Sequence, residues 1–208
     1  MKQLTKQSDK NSPAEYDRIF QERAKKDPHW QDLRRWKELV RYFKSGRILD
    51  LGCLDSGIPK ILNSKSNFTY LGIDVAGEAL KEMSKNQDWR VQYLCQDIYK
   101  LKLKNRDGLD YAILGEVLEH LDRPKDAVRE AFRVLKSGGV LAISVPLEEA
   151  IEPGAVDGER HLWSFSEQDI YDLVSPLSSN VKFKVLRSKW FPRYKYCWPQ
   201  LICWAWKK

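Results

Sequence analysis

Apolar and polar residues follow two different periods along the chain. Between residues 13 and 43 the apolar positions recur every three or four residues, which predicts two helices separated near Asp27-Pro28. Further on, short apolar runs alternate with helical stretches, and these runs lie at 47–51, 68–74, 90–97, 109–115 and 140–146. Runs of this kind are typical of strands buried on both faces, so they predict parallel strands joined by helical crossovers.

The C-terminal part has a different pattern. A helix is predicted to about Leu173, with Ser164 and Glu167 as a capping box at its start. Two strand-like segments follow, at 181–191 and 197–207, with no helical pattern between them, so they should pair as an antiparallel hairpin. The complete pattern predicts the α/β class, with a seven-stranded, mostly parallel sheet, an antiparallel C-terminal hairpin and helices on both faces.

Domain organisation and location follow from composition. We expect an N-terminal helical extension over residues 1–43, with 1–12 disordered, and one domain over 44–208. No apolar run approaches the roughly 20 residues of a membrane-spanning helix, and the first residues are too polar for a signal peptide. The four cysteines include no CxxC pair, so we interpret them as reduced and predict a cytoplasmic location.

The net charge of +7 is unevenly distributed. Residues 147–180 carry one basic and eight acidic side chains, whereas 181–208 carry eight basic side chains and no acidic one. A basic, tryptophan-rich C-terminus suits nucleic acid, a peripheral membrane contact or a partner chain, and its aromatic residues are Trp190, Phe191, Tyr194, Tyr196, Trp198, Trp204 and Trp206. The alternative is a solvated strand face with a lysine-tipped tail.

Carboxylates and glycines follow the predicted strands, where open parallel sheets bind their ligands. Asp50 and Gly52 end the first strand, Asp74 the second, Asp97 the third and Gly115-Glu116 the fourth. Asp74 stands 22 residues after Gly52, the spacing of a carboxylate that binds a ribose diol. The loop lacks both the Walker pattern and the GxGxxG pattern, and the second carboxylate, Asp97, suits a ligand that has an exocyclic amine and no phosphates. This combination fits S-adenosylmethionine better than NAD.

Four motifs in order carry a family resemblance: ILDLGC at 48–53, YLGIDVAGEAL at 70–80, CQDI at 95–98 and the stretch 109–146. With them the chain resembles the class I S-adenosylmethionine-dependent methyltransferases, in particular the small type-11-like enzymes, over roughly residues 40–175. The resemblance implies a Rossmann-like fold, S-adenosyl-L-methionine as cofactor and S-adenosyl-L-homocysteine as product. It also implies these cofactor-binding residues: Asp50, Gly52, Cys53, Asp55, Gly57, Asp74, Val75, Asp97, Ile98, Gly115 and Glu116.

One position departs from the family pattern. The family loop usually reads DLGCGxG, whereas this chain reads DLGCLDSG, with Leu54 in place of the middle glycine. This is either a tolerated loop variant, with Asp55 or Ser56 at the methionine end, or a degraded cofactor site. We favour the first interpretation because Asp74 and Asp97 are both retained.

The acceptor side is less specific. His161 lies in a long connection before the last helix and is a candidate general base, as is His120, although either histidine could simply anchor its loop. Trp163, Tyr16 and Trp36 are candidate substrate residues that could equally pack in the core. No zinc-site spacing appears, so we predict no metal.

We therefore predict methyl transfer to an oxygen or nitrogen of a small molecule, which could be lipid- or glycan-linked. The alternatives are a nucleic-acid methyltransferase and a non-catalytic cofactor-binding subunit.

Overall fold

Strands and helices alternate through most of the structure, a computed structural model that describes residues 1–4, 11–23, 30–54, 56–63, 67–86, 88–103, 108–147, 161–187 and 199–208. In chain order the elements are β1 (Lys2–Gln3), α1 (Pro13–Arg23), α2 (Trp30–Leu39), β2 (Gly46–Leu51), α3 (Ile58–Leu62), β3 (Phe68–Asp74), α4 (Gly77–Met83), β4 (Val91–Cys95), β5 (Leu109–Gly115), α5 (Pro124–Val134), β6 (Leu135–Pro146), β7 (Trp163–Ser164), α6 (Glu167–Val174), β8 (Ser178–Leu186) and β9 (Gln200–Lys207).

Seven of these strands form one sheet in the order β4-β3-β2-β5-β6-β9-β8. The strands from β4 to β6 are mutually parallel, so their carboxyl ends meet at one edge of the sheet. Strand β9 pairs antiparallel with both β6 and β8. The predicted α/β class, the seven-stranded sheet and the antiparallel hairpin at its end are confirmed.

Helices cover both faces of the sheet because each carries an apolar stripe. On one face, Trp36, Leu39 and the following Phe43 join a buried cluster with sheet residues such as Tyr111 and Trp204. On the other face, α5 and α6 bury their apolar residues against the alternate positions of the same strands. Alternate residues of a strand point to opposite faces, so strands with helices on both sides are apolar throughout.

The N-terminus contains a strand that was not predicted. The sequence indicated disorder over residues 1–12, but Lys2 and Gln3 pair antiparallel with Ser164 and Trp163, and the Leu4 amide donates to the Leu162 carbonyl at 2.8 Å. These backbone hydrogen bonds join residues about 160 positions apart, which local polarity does not reveal. Residues 5–10 lie outside the described part of the chain.

Two details at the C-terminal end also differ from the sequence prediction. The capping box of α6 consists of Ser166 and Asp169 rather than Ser164 and Glu167. In the aromatic C-terminal segment, Trp204 is a core residue with 2% of its surface exposed, and its indole donates to the Glu38 carbonyl. The part of that segment at 188–198 lies outside the described residues.

Candidate active site

A cavity of about 410 Å³ opens at the carboxyl ends of the parallel strands. Residues that end strands β2, β3 and β5 form one side of it, which we call the floor, and these are Asp50, Gly52, Asp74, Gly115 and Glu116. The opposite side, which we call the roof, comes from the N-terminal helices and from two later segments, and its residues are Tyr16, Trp36, Glu119, His120 and His161.

The loop after β2 brings its backbone unusually close to the rest of the floor. Gly52 has a φ of +74°, and a Cβ at this position would lie 2.5 Å from Cγ2 of Val117. Glycine is therefore required here both by backbone conformation and by space. Leu54 also has a positive φ, of +26°, which a glycine adopts without strain and a leucine does not.

Asp74, the last residue of β3, forms a hydrogen bond with this loop. One carboxylate oxygen accepts the Leu54 amide at 2.9 Å and the other accepts the Ala76 amide at 3.0 Å. The side chain is buried, and this burial raises its pKa despite the two hydrogen bonds. Each carboxylate oxygen has a second lone pair, so Asp74 can still accept hydrogen bonds from a ligand in the cavity.

Asp50 lies deeper in the floor and is 3% exposed. It accepts a 2.7 Å hydrogen bond from the Tyr70 hydroxyl. Burial raises the pKa of Asp50 to about 6, with the hydrogen bonds from Tyr70 and Ser56 opposing that rise. Its carboxylate is thus mainly charged at neutral pH and neutral in mild acid.

An ion-pair network lies at the end of β5. Glu116, with a strained φ of +57°, lies 3.9 Å from the Arg35 guanidinium, which also pairs with Asp32 at 2.8 Å. The Gln200 amide donates to the same Glu116 oxygen at 3.3 Å. Two buried atoms of this network, Nε of Arg35 and Oε1 of Glu116, have no hydrogen-bond partner among the described residues. Buried polar atoms of this kind are usually satisfied by a ligand or by water.

The roof joins segments that are far apart in sequence. His120 and His161 lie with their ring centroids 4.7 Å apart, and Tyr16 contacts the His120 ring edge-on at 6.3 Å. Two hydrogen bonds hold these segments together: the Leu162 amide donates to the Glu119 carbonyl at 2.6 Å, and the Trp163 indole donates to the Leu121 carbonyl at 2.8 Å.

The structure brings together most of the residues proposed from the sequence, but not all. Those that line the cavity are Asp50, Gly52, Cys53, Asp74, Val75, Ile98, Gly115, Glu116, His120, His161, Tyr16 and Trp36. Asp55 lies outside the described residues.

Three of the proposed residues do not line the cavity. Gly57 is buried beneath the Trp36 ring, whose nearest carbon would lie 2.2 Å from a Cβ at that position. Asp97 is exposed and accepts the Tyr99 amide at 2.9 Å, as a turn residue does. Trp163 lies behind the roof, where its indole holds the Leu121 carbonyl.

Sequence reasoning missed several lining residues, among them Asp32, Arg35, Gln96 and Glu119. Arg35 follows Asp32 by three positions, a spacing that predicts an ion pair between them on a helix. That spacing does not indicate that either side chain lines a cavity. Glutamate is rarely buried in proteins, yet Glu119 is 1% exposed. Its burial depends on the roof segments that cover it.

The described lining residues include five carboxylates and a single guanidinium, that of Arg35. A cavity of this charge favours a cationic ligand.

A comparison with known families agrees with this geometry. Residues 49–143 match the family model of a methyltransferase domain. The matched residues make up just under half of the chain. This match agrees with the resemblance drawn from the four motifs.

The curated relatives that the chain resembles are named for different acceptors. The chain is 30% identical over 105 residues to the ubiquinone biosynthesis O-methyltransferase of Coxiella burnetii, a match that covers 49% of this chain and 44% of that protein. It is 32% identical over 127 residues to the tRNA (carboxymethyluridine(34)-5-O)-methyltransferase of Arabidopsis thaliana, covering 57% of this chain and 30% of that protein. The chain thus spans less than half the length of either relative.

Solved structures share the fold over nearly the whole chain. An S-adenosylmethionine-dependent methyltransferase of Thermotoga maritima superposes with a TM-score of 0.71 at 18% identity, covering 93% of this chain and 98% of that one. A phosphoethanolamine N-methyltransferase of Haemonchus contortus, solved with S-adenosylhomocysteine, has a TM-score of 0.71 at 15% identity, covering 96% of this chain and 58% of that one. At these identities the likeness shows the fold.

The floor and Arg35 of α2 offer several groups that are suited to S-adenosylmethionine. Asp74 offers acceptor lone pairs at the place where this fold binds a ribose diol. The unpartnered atoms of Arg35 and Glu116 are of opposite charge and suit the carboxylate and the ammonium of an amino acid. The residues present therefore fit this cofactor, with Asp97 as the exception among those that the motifs proposed.

Proposed function

We propose that this chain transfers a methyl group from S-adenosylmethionine to an oxygen or nitrogen of a small-molecule acceptor. One observation carries the proposal: the floor residues Gly52 and Asp74 and the Arg35–Glu116 pair, which joins α2 to the floor, line one cavity at the carboxyl ends of the parallel strands. When bound, the cofactor supplies an electrophilic methyl group on a positively charged sulfur. Every other part of the reaction depends on how the chain's own residues bind and orient the two reactants.

The residues of the floor, together with Arg35 of α2, bind and orient the cofactor. Asp74 accepts ribose hydroxyls, and the backbone at Gly52 allows close approach. Arg35 and Glu116 hold the amino-acid end, while the charged form of Asp50 favours a cationic ligand at neutral pH. Alignment of two reactants in a site that excludes water contributes roughly 7–11 kcal/mol in well-oriented systems.

The residues of the roof face the acceptor. Tyr16, His120 and His161 close the cavity above the floor, and the imidazoles provide nitrogen atoms that can take part in deprotonating the acceptor. A cavity of about 410 Å³ is at the lower end of the range of small-molecule sites, which supports a small acceptor.

A nucleic-acid acceptor is the second candidate, favoured by the tRNA methyltransferase relative and by the eight basic residues in 181–208. Against it stand the carboxylates that line the cavity and the eight acidic residues in 147–180. Binding to RNA that weakens steeply with salt would favour this candidate. Binding of S-adenosylhomocysteine without affinity for RNA would favour the small-molecule acceptor.

Two experiments test the proposal. Calorimetry with S-adenosylhomocysteine measures cofactor binding, and the absence of binding at millimolar ligand would contradict the proposal. A transfer assay with labelled methyl donor, run against metabolites, lipids, glycans and RNA separated from an extract, identifies the acceptor class.

With the acceptor identified, we expect His161→Ala to lower turnover at least about tenfold and to leave S-adenosylhomocysteine affinity within about twofold, since His161 lies in the roof. Steady-state kinetics and calorimetry on the same preparation measure both quantities. An equal loss of both would indicate a structural role for His161 instead.

A further inference from the structure

Three side chains of the roof place their metal-ligating atoms close together. A general base would need only one of them. One ligating atom each from Glu119, His120 and His161 lies within 4.8 Å of the other two. Donors bound to one ion at about 2.0–2.2 Å are separated by roughly 3–4 Å, so a small inward rotation of the side chains brings all three donors within reach of one ion. Two imidazoles and one carboxylate are a recurrent ligand set of divalent transition metals.

We propose that Glu119, His120 and His161 bind a divalent transition-metal cation, which in turn binds and polarises a hydroxyl group of the acceptor. The inference rests on the proposed function, because it assigns the roof to an oxygen acceptor. It differs from the general-base role of His161, since a nitrogen that ligates a cation is not available to remove a proton.

The backbone around the three donors is fixed from several directions. Glu119 and His120 belong to the short 3-10 helix Leu118–His120, and the Glu119 carbonyl accepts the Leu162 amide at 2.6 Å. The His120 carbonyl accepts the Asn11 side-chain amide at 3.3 Å, which joins the N-terminal segment to the same place. Donors held by contacts of this kind lose little conformational entropy when they bind an ion.

Burial and charge support a cation at this position. Glu119 is 1% exposed, and a carboxylate buried to that extent is stabilised by positive charge or hydrogen bonds close to it. Four other carboxylates line the same cavity, so its potential favours a divalent cation. All three proposed ligands line the cavity, so the coordination positions that they do not fill face the acceptor.

The proposed cation explains how a poor nucleophile becomes reactive near neutral pH. A bound divalent cation can lower the pKa of a coordinated water molecule from 15.7 to about 7, and a coordinated hydroxyl group responds in the same direction. The O–H bond breaks, its electron pair stays on the oxygen next to the cation, and the proton leaves to solvent. The acceptor class that follows is a phenol, enol or other hydroxyl compound that can coordinate a metal.

The test uses Co²⁺ as a spectroscopic probe on this chain after purification and treatment with a chelator. We expect about one Co²⁺ per chain, with visible absorption bands of a nitrogen-coordinated ion and displacement by Zn²⁺. Mg²⁺ should compete poorly because it prefers oxygen ligands. Affinity for Co²⁺ should fall at least tenfold in His161→Ala and in Glu119→Gln, and should be unchanged in the control Glu78→Gln, an exposed carboxylate on α4.

The Co²⁺ affinities of the wild type and the three variants decide whether the roof binds a metal ion. Loss of Co²⁺ binding in both roof variants, with the control unchanged, supports the proposal. Absence of binding, or equal binding by all four proteins, overturns it and leaves His161 as a candidate base. If Glu119→Gln does not fold by thermal melting, the half-buried His161→Ala variant decides alone. S-adenosylhomocysteine binding is measured on the same chelated protein, so a failure of the proposed function is seen separately from a failure of the metal site.

Discussion

The floor and the roof of the cavity are held in place by different kinds of contact. The floor is part of the sheet, so Asp50 and Asp74 are positioned by ladder hydrogen bonds between neighbouring strands. The roof is assembled from side chains and a few hydrogen bonds between distant segments, such as Leu162 to Glu119 and Asn11 to His120. The difference suggests a rigid cofactor side that serves a common ligand and an acceptor side that can vary with the substrate.

If this division is correct, changes in the floor reduce cofactor affinity and stability, whereas changes in the roof reduce turnover or cation binding. The following predictions test that division, beginning with the largest expected effect.

Gly52→Ala should be the most damaging small substitution in the floor. The variant combines a strained positive φ with a Cβ placed 2.5 Å from Val117, and together these should cost about 2–4 kcal/mol of stability. S-adenosylhomocysteine affinity should fall at least tenfold in calorimetry. Gly138→Ala is the matched control, since Gly138 has the same φ of +74° with no atom near its Cβ position. A Gly52→Ala variant no less stable than Gly138→Ala in urea would show that the close packing is not required.

Asp50→Asn should change how stability depends on pH. The pKa of Asp50 is raised to about 6 in the folded protein, which means that the folded state favours the protonated carboxyl. The stabilisation that results from this preference is present below pH 4 and is lost as the pH rises through 6. A shift of about two units corresponds to about 3 kcal/mol. Relative to wild type, the Asn variant should therefore become more stable by up to that amount between pH 4 and 7.5. Urea titrations across this range measure the difference, and a constant difference would contradict the shifted pKa.

Asp74→Ala and Asp97→Ala should have different effects although both positions belong to the family motifs. Removing the hydrogen-bond acceptors of Asp74 should cost about 1–3 kcal/mol of cofactor binding, or roughly five- to 150-fold in affinity. Asp97 is exposed and outside the cavity lining, so its variant should bind within about threefold of wild type. Calorimetry with S-adenosylhomocysteine distinguishes them, and a larger loss for Asp97→Ala would place the adenine against that side chain.

Leu54→Gly should have the smallest effect. The substitution relieves a positive φ of +26° but removes apolar contact with the cluster of Phe20, Ala76 and Ala79, so the two changes largely offset each other. We expect stability within about 1 kcal/mol of wild type and cofactor affinity within about threefold. An affinity gain above tenfold would mean that Leu54 obstructs the cofactor site.

None of the helices in the described ranges combines the length and apolarity of a membrane span. The proposed surface role of the C-terminal aromatic residues remains a prediction for 188–198, which lie outside the described residues. For Trp204 it is replaced by a core role, because that side chain lies on the inner face of β9 against Tyr42.

The sequence by itself determined the sheet and most of the floor. Strands buried on both faces are recognisable as apolar runs, and in a parallel sheet the residue that ends each strand falls at the ligand edge whatever the loops do. Asp50, Gly52, Asp74 and Glu116 could therefore be placed from chain position alone. Asp97 shows the limit of this rule, since it lies two residues beyond the end of β4 and its side chain is exposed outside the cavity.

The tertiary structure decided the roof. Glu119 and His161 are separated by 42 positions, and Asn11 contacts His120 over a separation of 109 positions. The periodicity of a local segment therefore does not predict these contacts. Helical spacing predicted that Arg35 could pair with Asp32, but only the packing of α2 over the strand ends brings it to Glu116. Sequence patterns record which face of an element is buried, whereas contacts between distant segments depend on how complete elements pack together.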